Sequence, residues 1–279
     1  MTGMRYAICN ETFEGWEFAR VCAFLAEIGY QGVEVAPFTL ADRITDVTPT
    51  RRAELRRQAD NEGLKIIGLH WLLAKTTGLS VTSPDEQVRQ TTADYLKELA
   101  RACSDLGGDI LFFDSPQQRR IPEGHSQEEA AAFALDTFRR VTPVLEELDV
   151  KLCLEPLAPT EADFLNTAEQ AVALLRKLSS PCVRLHLDVK AMTSEAVSPA
   201  DLLRRHRQDL YHFHANDANR RGPGFGDTDF LPIYGALAEI GYSGWVSVEV
   251  FDYSPDPETI ARESLRYLRE CESTLGRRT

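Results

Sequence analysis

The sequence predicts an α/β protein, a (β/α)₈ TIM barrel formed by a single domain over residues 1–279. Short apolar or β-branched runs alternate with longer helical patterns along the chain, and eight such pairs can be counted. This alternation is typical of a parallel sheet wrapped by helices. Single barrels of this type have about 250 residues, so one barrel accounts for the whole length of 279 residues.

Eight short runs predict the strands, because each combines β-forming residues with the length of a buried strand. In chain order they span residues 5–9, 32–35, 64–70, 109–113, 150–155, 183–188, 210–214 and 245–250. Polar segments near 76–84 and 116–125 follow strands and are interpreted as loops that lead from a strand into a helix.

Helical patterns lie between the strands, and six of them can be delimited. They span residues 16–28, 49–62, 86–106, 128–148, 167–178 and 231–240. Ser126 followed by Glu129 predicts a capping box, and Pro49 and Pro84 suit helix starts. Glycines stand where helices should end, at Gly29, Gly63, Gly107 and Gly241.

Composition excludes several classes of function. A net charge of −12 opposes attraction to phosphate backbones, so no nucleic-acid partner is expected. No apolar run reaches about 18 residues, so no membrane association is expected. The six cysteines are scattered without a C-x-x-C pair, which indicates reduced thiols. Because the first residues also lack a basic and then apolar leader, a cytoplasmic location is expected.

Four consecutive predicted strands end in side chains of metal-ligand type: Glu155, Asp188, His214 and Glu249. Neighbouring strand ends in a closed barrel lie about 5 Å apart, so these groups can converge on one ion at the mouth. A single carboxylate at a strand end is often only a helix cap or a loop charge. Three carboxylates buried together without a cation would be strongly unfavourable, so a metal site is favoured. The donor set suits Mn²⁺, Mg²⁺ or Co²⁺ better than a structural zinc.

Further residues are expected to face the same mouth. Residues two apart on a strand share a face, so His186 should lie beneath Asp188, and His212 beneath His214, as ligand, supporting or core residues. Other candidates for substrate contact at strand ends are His70, Glu34, Asp114 and Ser115. The polar, glycine-rich loop at 215–226 carries Arg220 and Arg221, which could clamp hydroxyl or anionic oxygens; a solvated turn is the alternative.

The chain resembles the xylose-isomerase-like barrel superfamily of sugar isomerases and epimerases, and within it the ketose 3-epimerases. The resemblance covers nearly the full length and is strongest in LEPL around Glu155, LHLD ending at Asp188, HFHANDANRRGPGFGDTDF around His214 and GYSGWVSVEVF around Glu249. It implies that these four residues bind one divalent ion, with Mn²⁺ expected and Mg²⁺, Co²⁺ or Zn²⁺ as alternatives.

The resemblance also implies that Glu155 and Glu249 act as acid and base on opposite faces of the substrate carbon, and that Arg220 contacts the sugar. One position departs from the family pattern. Ketose 3-epimerases carry a substrate-binding histidine three positions after the strand-six aspartate, where this chain has Ala191. Lys190 or His186 would then supply that contact, or the substrate differs.

We therefore hypothesise a metal-dependent isomerase or epimerase that abstracts a proton beside a polarised carbonyl of a small carbohydrate and passes through an enediolate. Elimination from an inosose, a keto-sugar or a 3-keto-glycoside starts from the same proton abstraction and is the alternative. A phosphodiester-cleaving endonuclease fits less well, since six histidines and the acidic charge oppose a multi-zinc site in a basic groove. A non-catalytic sugar-binding barrel is the third alternative, and a homo-oligomeric assembly is left open.

Overall fold

A computed structural model of the chain describes residues 3–276; residues 1–2 and 277–279 of the predicted domain lie outside the described part. The strands are β1 (Arg5–Cys9), β2 (Gly32–Val35), β3 (Lys65–Leu69), β4 (Ile110–Phe113), β5 (Lys151–Leu154), β6 (Val183–Asp188), β7 (Leu210–Ala215) and β8 (Trp245–Val248). Each pairs in parallel with its neighbours in sequence, and β8 pairs with β1 to close the barrel. The predicted (β/α)₈ fold is confirmed.

Helices follow the strands and form the outer layer. They are α1 (Phe18–Ile28), α2 (Pro49–Asn61), α3 (Glu86–Asp105), α4 (Gln127–Leu148), α5 (Ala168–Leu178), α6 (Val189–Met192), α7 (Pro199–Arg205), α8 (Phe230–Glu239) and α9 (Pro257–Gly276). The predicted capping box at Ser126 and Glu129 begins α4, and Gly29 ends α1 in the left-handed conformation. Across residues 3–276, every helix is too short or too polar to cross a bilayer.

Two apolar regions hold the barrel together. The larger one packs the helices against the outside of the strands. The smaller one fills the lower interior of the barrel with Ala7, Ile67, Ile110, Phe112, Cys153 and Trp245. Above Phe112 the interior becomes polar. The Phe112 ring lies 4.2 Å from the His212 ring and 5.6 Å from the His186 ring, so two imidazoles follow the apolar layer. The carboxyl ends of the strands therefore carry charged side chains on an apolar floor.

Strand register places the polar residues side by side. In the β6–β7 pair, Asp188 lies opposite His214, and His186 lies opposite His212. Glu249 directly follows β8, and its backbone N–H donates to the Ala215 carbonyl of β7. Residues at or beside the ends of three neighbouring strands thus meet at one level of the barrel.

Candidate metal centre and active site

Asp188, His214 and Glu249 form one compact group at the barrel mouth. A ligand atom from each lies within 4.8 Å of the other two, and all three side chains are buried. The ends of β6, β7 and β8 position them, so the group belongs to the rigid part of the fold. Imidazole and carboxylate donors in this number can hold a divalent ion.

His214 lies between two carboxylates. Its Nδ1 is 3.2 Å from Glu249 Oε2, and its Nε2 is 3.0 Å from Glu34 Oε2. Ligand atoms around a common ion, at about 2.0–2.2 Å from it, lie roughly 3 Å apart, so Nδ1 and Glu249 fit a shared ion. Histidines that bind metals usually donate their other N–H to a carboxylate, and Glu34 is placed to accept it.

The Asp188 carboxylate is fixed from two sides. Its Oδ1 accepts from the Ala191 N–H at 2.8 Å, and its Oδ2 accepts from the Asn216 side chain. Burial raises the pKa of Asp188 to about 6, with Lys190 opposing and Glu249 adding to that rise. A cation beside Asp188 would relieve this unfavourable burial of charge.

Glu155 directly follows β5 and lies beside this group without belonging to it. Its Oε2 is buried, lacks a hydrogen-bond partner among residues 3–276, and lies 3.8 Å from His186 Nδ1. Burial, followed by the charges of Asp188 and Glu249, raises the pKa of Glu155 well above its usual value. A buried carboxylate oxygen without a partner beside an Asp/His/Glu group is what a missing cation would leave, so these residues fit a metal.

Three further histidines of the mouth are fully buried around the metal group. His186 and His212 are fully buried beneath the metal group, and His212 Nε2 lies 2.8 Å from Glu34 Oε1. His70, at the end of β3, is also fully buried, with Nε2 2.8 Å from Glu11 Oε2 and Nδ1 3.8 Å from Glu249 Oε1. His70 therefore links Glu11 to Glu249.

Two cations border the mouth around one aromatic ring. Lys190 Nζ lies 4.6 Å from the centre of the Phe251 ring, and the Arg220 guanidinium lies 5.7 Å from it. Lys190 also contacts both carboxylate oxygens of Glu161 at 2.6 and 2.7 Å. Arg220 adopts φ 71°, and its carbonyl accepts from the Phe251 N–H, which ties the loop after β7 to the loop after β8.

Some of these residues could not be found from the sequence. Glu11 lies in a short 3₁₀ helix, Asn10–Phe13, directly after β1, and nothing in its spacing marks it. Arg119 is fully buried and donates to the backbone carbonyls of Phe113, Ser115 and Glu155. Glu161 lies in an irregular loop. Glu34, in contrast, is among the residues that the sequence predicts at the mouth, on the second strand.

A family model described as xylose isomerase-like TIM barrel matches residues 22–271. The chain belongs to this family. Among its relatives, a D-psicose 3-epimerase of Ruminiclostridium cellulolyticum is 27% identical over 255 residues, covering 89% of this chain and 83% of the relative. An inosose dehydratase of Geobacillus kaustophilus is 25% identical, covering 89% and 85%.

Solved structures with the same fold are also found. A D-psicose 3-epimerase in the presence of D-fructose superimposes with a TM-score of 0.85 at 23% identity, covering 96% of this chain and 99% of the other. An L-ribulose 3-epimerase gives a TM-score of 0.86 at 21% identity, covering 99% and 97%. The barrel is therefore shared over almost the whole chain.

Proposed function

We propose that this protein is a divalent-metal-dependent sugar epimerase or isomerase, with Glu155, Asp188, His214 and Glu249 as ligands and Mn²⁺ as the ion. The observation that carries the proposal is the group at the strand ends, in which Asp188, His214 and Glu249 present ligand atoms within 4.8 Å of one another. Relatives named D-psicose 3-epimerase, at 27–29% identity, support a small carbohydrate as substrate.

The bound ion would supply Lewis-acid polarisation of a sugar carbonyl. The two glutamates differ in how firmly they hold a proton. Burial raises the pKa of Glu249, but His214 and His70 outweigh it and lower that pKa to about 2, whereas the pKa of Glu155 is raised well above its usual value. Opposite shifts in neighbouring carboxyl groups are typical of an acid and base pair, so we assign the proton transfers to these two glutamates, with Glu249 as the acceptor.

Proton transfer between these groups accounts for the proposed reaction. Glu249 takes the proton from the carbon beside the carbonyl, and the electron pair of the broken C–H bond moves toward the carbonyl oxygen. Glu155 then returns a proton to the opposite face of the same carbon, which gives the epimer. Return of the proton to the adjacent carbon gives the isomer.

Other residues of the mouth hold the substrate or the acid and base. Arg220 and Lys190 border the opening and are placed to contact sugar oxygens. His70 holds Glu249, while His186 and His212 support the metal group from beneath. The cytoplasm is the proposed location; the six cysteines are all buried free thiols.

A lyase is the second candidate, because a relative is named inosose dehydratase and because Ala191 replaces the histidine expected of ketose 3-epimerases. The first proton abstraction is common to both reactions. The products separate them, since elimination removes a hydroxyl or alkoxyl group from the neighbouring carbon and epimerisation removes nothing.

Exchange of carbon-bound hydrogen in heavy water tests the proposal. The Mn²⁺-loaded protein should exchange the hydrogen beside the carbonyl of a keto-sugar, and Glu249→Gln should lower this exchange by about 10³-fold or more, because it removes the base. Glu239→Gln, at an exposed carboxylate on α8, is the control and should exchange normally. Near-normal exchange by Glu249→Gln would remove Glu249 from the acid–base role, and absence of metal-dependent exchange would refute the function.

A further inference from the structure

A second group of side chains of metal-ligand type lies beside the metal group described above. Cys9, Glu11, His70 and Glu249 each present a ligand atom, and these four atoms lie within 4.8 Å of one another. All four side chains are buried. The first three lie on β1, on the turn that follows it and directly after β3, whereas the metal group lies at the ends of β6, β7 and β8. Glu249 belongs to both groups.

The two carboxylate oxygens of Glu249 face different neighbours. Oε2 lies 3.2 Å from His214 Nδ1 in the metal group, and Oε1 lies 3.8 Å from His70 Nδ1 in the second group. Enzymes that use two metal ions hold them about 3.5–4 Å apart, a separation that one bridging carboxylate can span. Glu249 is therefore placed to bind one ion with each oxygen.

Glu11 and His70 carry buried polar atoms without hydrogen-bond partners. Glu11 is 7% exposed and His70 is fully buried. Within residues 3–276, neither carboxylate oxygen of Glu11 and neither ring nitrogen of His70 forms a hydrogen bond. Glu11 Oε2 and His70 Nε2 lie 2.8 Å apart but lack hydrogen-bond geometry. Atoms that bind one ion at about 2.0–2.2 Å lie roughly 3 Å from each other, so this pair has the spacing of two ligands.

Negative charge dominates the surroundings of this second group. Three carboxylates lie within 3.9 Å of the ring nitrogens of His70, and they belong to Glu11, Asp114 and Glu249. Buried carboxylates in such excess are unfavourable unless a cation compensates them. The second group therefore favours a cation over an anionic or neutral ligand.

The turn after β1 holds Glu11 in place and leaves a path to it. Asn10 Oδ1 accepts from the Ala36 N–H at 2.8 Å, and Asn10 Nδ2 donates to Thr39 Oγ1 at 2.8 Å. These bonds tie the 3₁₀ helix that carries Glu11 to the loop after β2. Glu11 also lines a cavity of about 890 Å³ at the barrel mouth. An ion can reach the second group from this cavity and meet ligands that the fold already positions.

The sulfur of Cys9 sets the metal preference of the second group. Carboxylate and imidazole donors occur in both groups, but only the second one contains a thiol. Thiolates favour Zn²⁺, whereas carboxylate-rich sites suit Mn²⁺ and Mg²⁺. The Cys9 thiol donates to Glu34 Oε2 at 3.6 Å, and a bound ion would replace this thiol proton.

We propose that Cys9, Glu11, His70 and Glu249 form a second divalent-cation site, selective for Zn²⁺, which shares Glu249 with the proposed Mn²⁺ site. Its effect on catalysis follows from this sharing and rests on the proposed function. With Oε2 of Glu249 directed to the first ion, Oε1 is the oxygen that accepts the substrate proton. An ion in the second site binds this oxygen, so the second site is inhibitory.

Titration with Co²⁺, which absorbs light where Zn²⁺ does not, tests the site directly. In the presence of excess Mn²⁺, Co²⁺ should produce a thiolate-to-cobalt charge-transfer band in the near ultraviolet. Cys9→Ser should abolish the band, because serine keeps a donor for Glu34 but removes the sulfur. Cys271→Ser, at another buried thiol on α9, is the control and should retain the band.

A second variant tests the site without changing the sulfur. Glu11→Gln should raise the Kd for Co²⁺, read from the same band, at least about tenfold, because it removes a charged ligand. Glu14→Gln is the matched control at an exposed carboxylate directly after the same 3₁₀ helix, and it should keep the wild-type Kd. If Cys9→Ser does not fold, this pair of variants still decides whether the site exists.

Hydrogen exchange from a keto-sugar in heavy water tests the sharing of Glu249. With Mn²⁺ in excess, Zn²⁺ should lower the exchange rate of the wild type about 10²-fold or more, because the base is no longer available. Cys9→Ser should resist the same concentration of Zn²⁺. Equal inhibition of the two proteins would place Zn²⁺ at the first site and overturn the sharing.

The failures can be told apart. A Co²⁺ titration without a band, or a band that persists in Cys9→Ser, would overturn the second site and leave the proposed function standing. An unchanged Kd in Glu11→Gln would also overturn it. Absence of Mn²⁺-dependent exchange would refute the proposed function and the inhibitory effect, while the Co²⁺ titration would still decide whether the second site binds a metal.

Discussion

His214 shows how a buried site controls its charge at the level of single residues. Burial alone would lower the pKa of this imidazole, but Glu34 and Glu249 on its two sides raise it well above the usual value. Burial likewise raises the pKa of Glu34, and the neighbouring His214 and His212 lower it well below normal. The charges thus compensate one another, and an ion bound at Nδ1 would replace the proton there while Glu34 retains the Nε2–H.

Glu34 is therefore expected to determine metal affinity without binding the ion. Glu34→Gln removes the charge that orients and polarises His214, so the Kd for Mn²⁺ should rise about 10–100-fold. Calorimetric titration of the metal-free protein with Mn²⁺ measures it. Glu62→Gln, at an exposed carboxylate after α2, is the matched control and should keep the wild-type Kd. Equal affinities in the three proteins would show that Glu34 has no such role.

The sequence alone predicted those site residues whose positions depend only on the two-residue period of a strand. Asp188, His214 and Glu249 end predicted neighbouring strands, and the structure brings these three together. Glu11 could not be predicted, because its place depends on a 3₁₀ turn after β1 and on a contact with His70, 59 positions later in the chain. Arg119 in the sequence is indistinguishable from an exposed arginine, since only the fold brings carbonyls around it.

At the scale of elements, some strands were predicted with the same first and last residues that the structure shows. The bounds of β1, β2 and β6 agree with the prediction, whereas β3 begins one residue later and ends one residue earlier. The α-helices without predicted bounds are α6, α7 and α9. One-turn α6 begins at the Asp188 cap, and α7 has only seven residues, too few for a helical period to stand out. Helix α9 has twenty residues and a clear pattern of buried positions, so its bounds could have been predicted from the sequence.

The ends of β4 and β5 are joined by Arg119. Its buried guanidinium donates to carbonyls of Phe113, Ser115 and Glu155, and its charge lies over the Phe113 ring. Arg119→Met keeps the apolar stem but leaves buried carbonyls without donors, so the free energy of unfolding should fall by about 2–4 kcal/mol. Urea unfolding followed by circular dichroism measures this change.

The same substitution should affect catalysis through the position of Glu155, lowering kcat more than it changes KM. Arg101→Met provides the comparison, because Arg101 lies on the outer surface of α3 and, within residues 3–276, pairs only with Glu98; its stability and kcat should stay near wild type. Wild-type stability in Arg119→Met would show that the carbonyls of β4 and β5 do not depend on this residue.

For the whole molecule, the barrel interior changes from apolar to charged along its axis. Phe112 ends the apolar floor, the rings of His186 and His212 lie on it, and the carboxylates lie above them. In the metal-free protein this upper layer must bury its charges without a cation. Folding stability should therefore respond to pH and to metal through this one layer.

The metal-free protein should lose stability as pH rises from about 6.5 to 8. Between these values the unfolded chain releases its histidine protons and its carboxyl groups are already ionised. The folded protein retains protons on His70 and His214, whose pKa values are raised well above normal by neighbouring carboxylates against the effect of burial. It also holds protons on Glu155 and, until its pKa of about 7, on Asp114, both raised first by burial.

Since the folded state binds more protons than the unfolded state, each unit of rising pH favours unfolding. His186 and His212, whose lowered pKa values leave them neutral in the folded state, oppose this trend only until the unfolded chain has released its own histidine protons, and they are outnumbered by the groups that stay protonated. Saturating Mn²⁺ replaces protons at the ligands, so it should raise Tm more at pH 8 than at pH 6.5. Thermal unfolding with EDTA and with Mn²⁺ at both pH values measures this, with Asp188→Asn as the control whose Tm should respond less to metal. A metal-free Tm that rises with pH would contradict the assignment of a cation-requiring layer at the mouth.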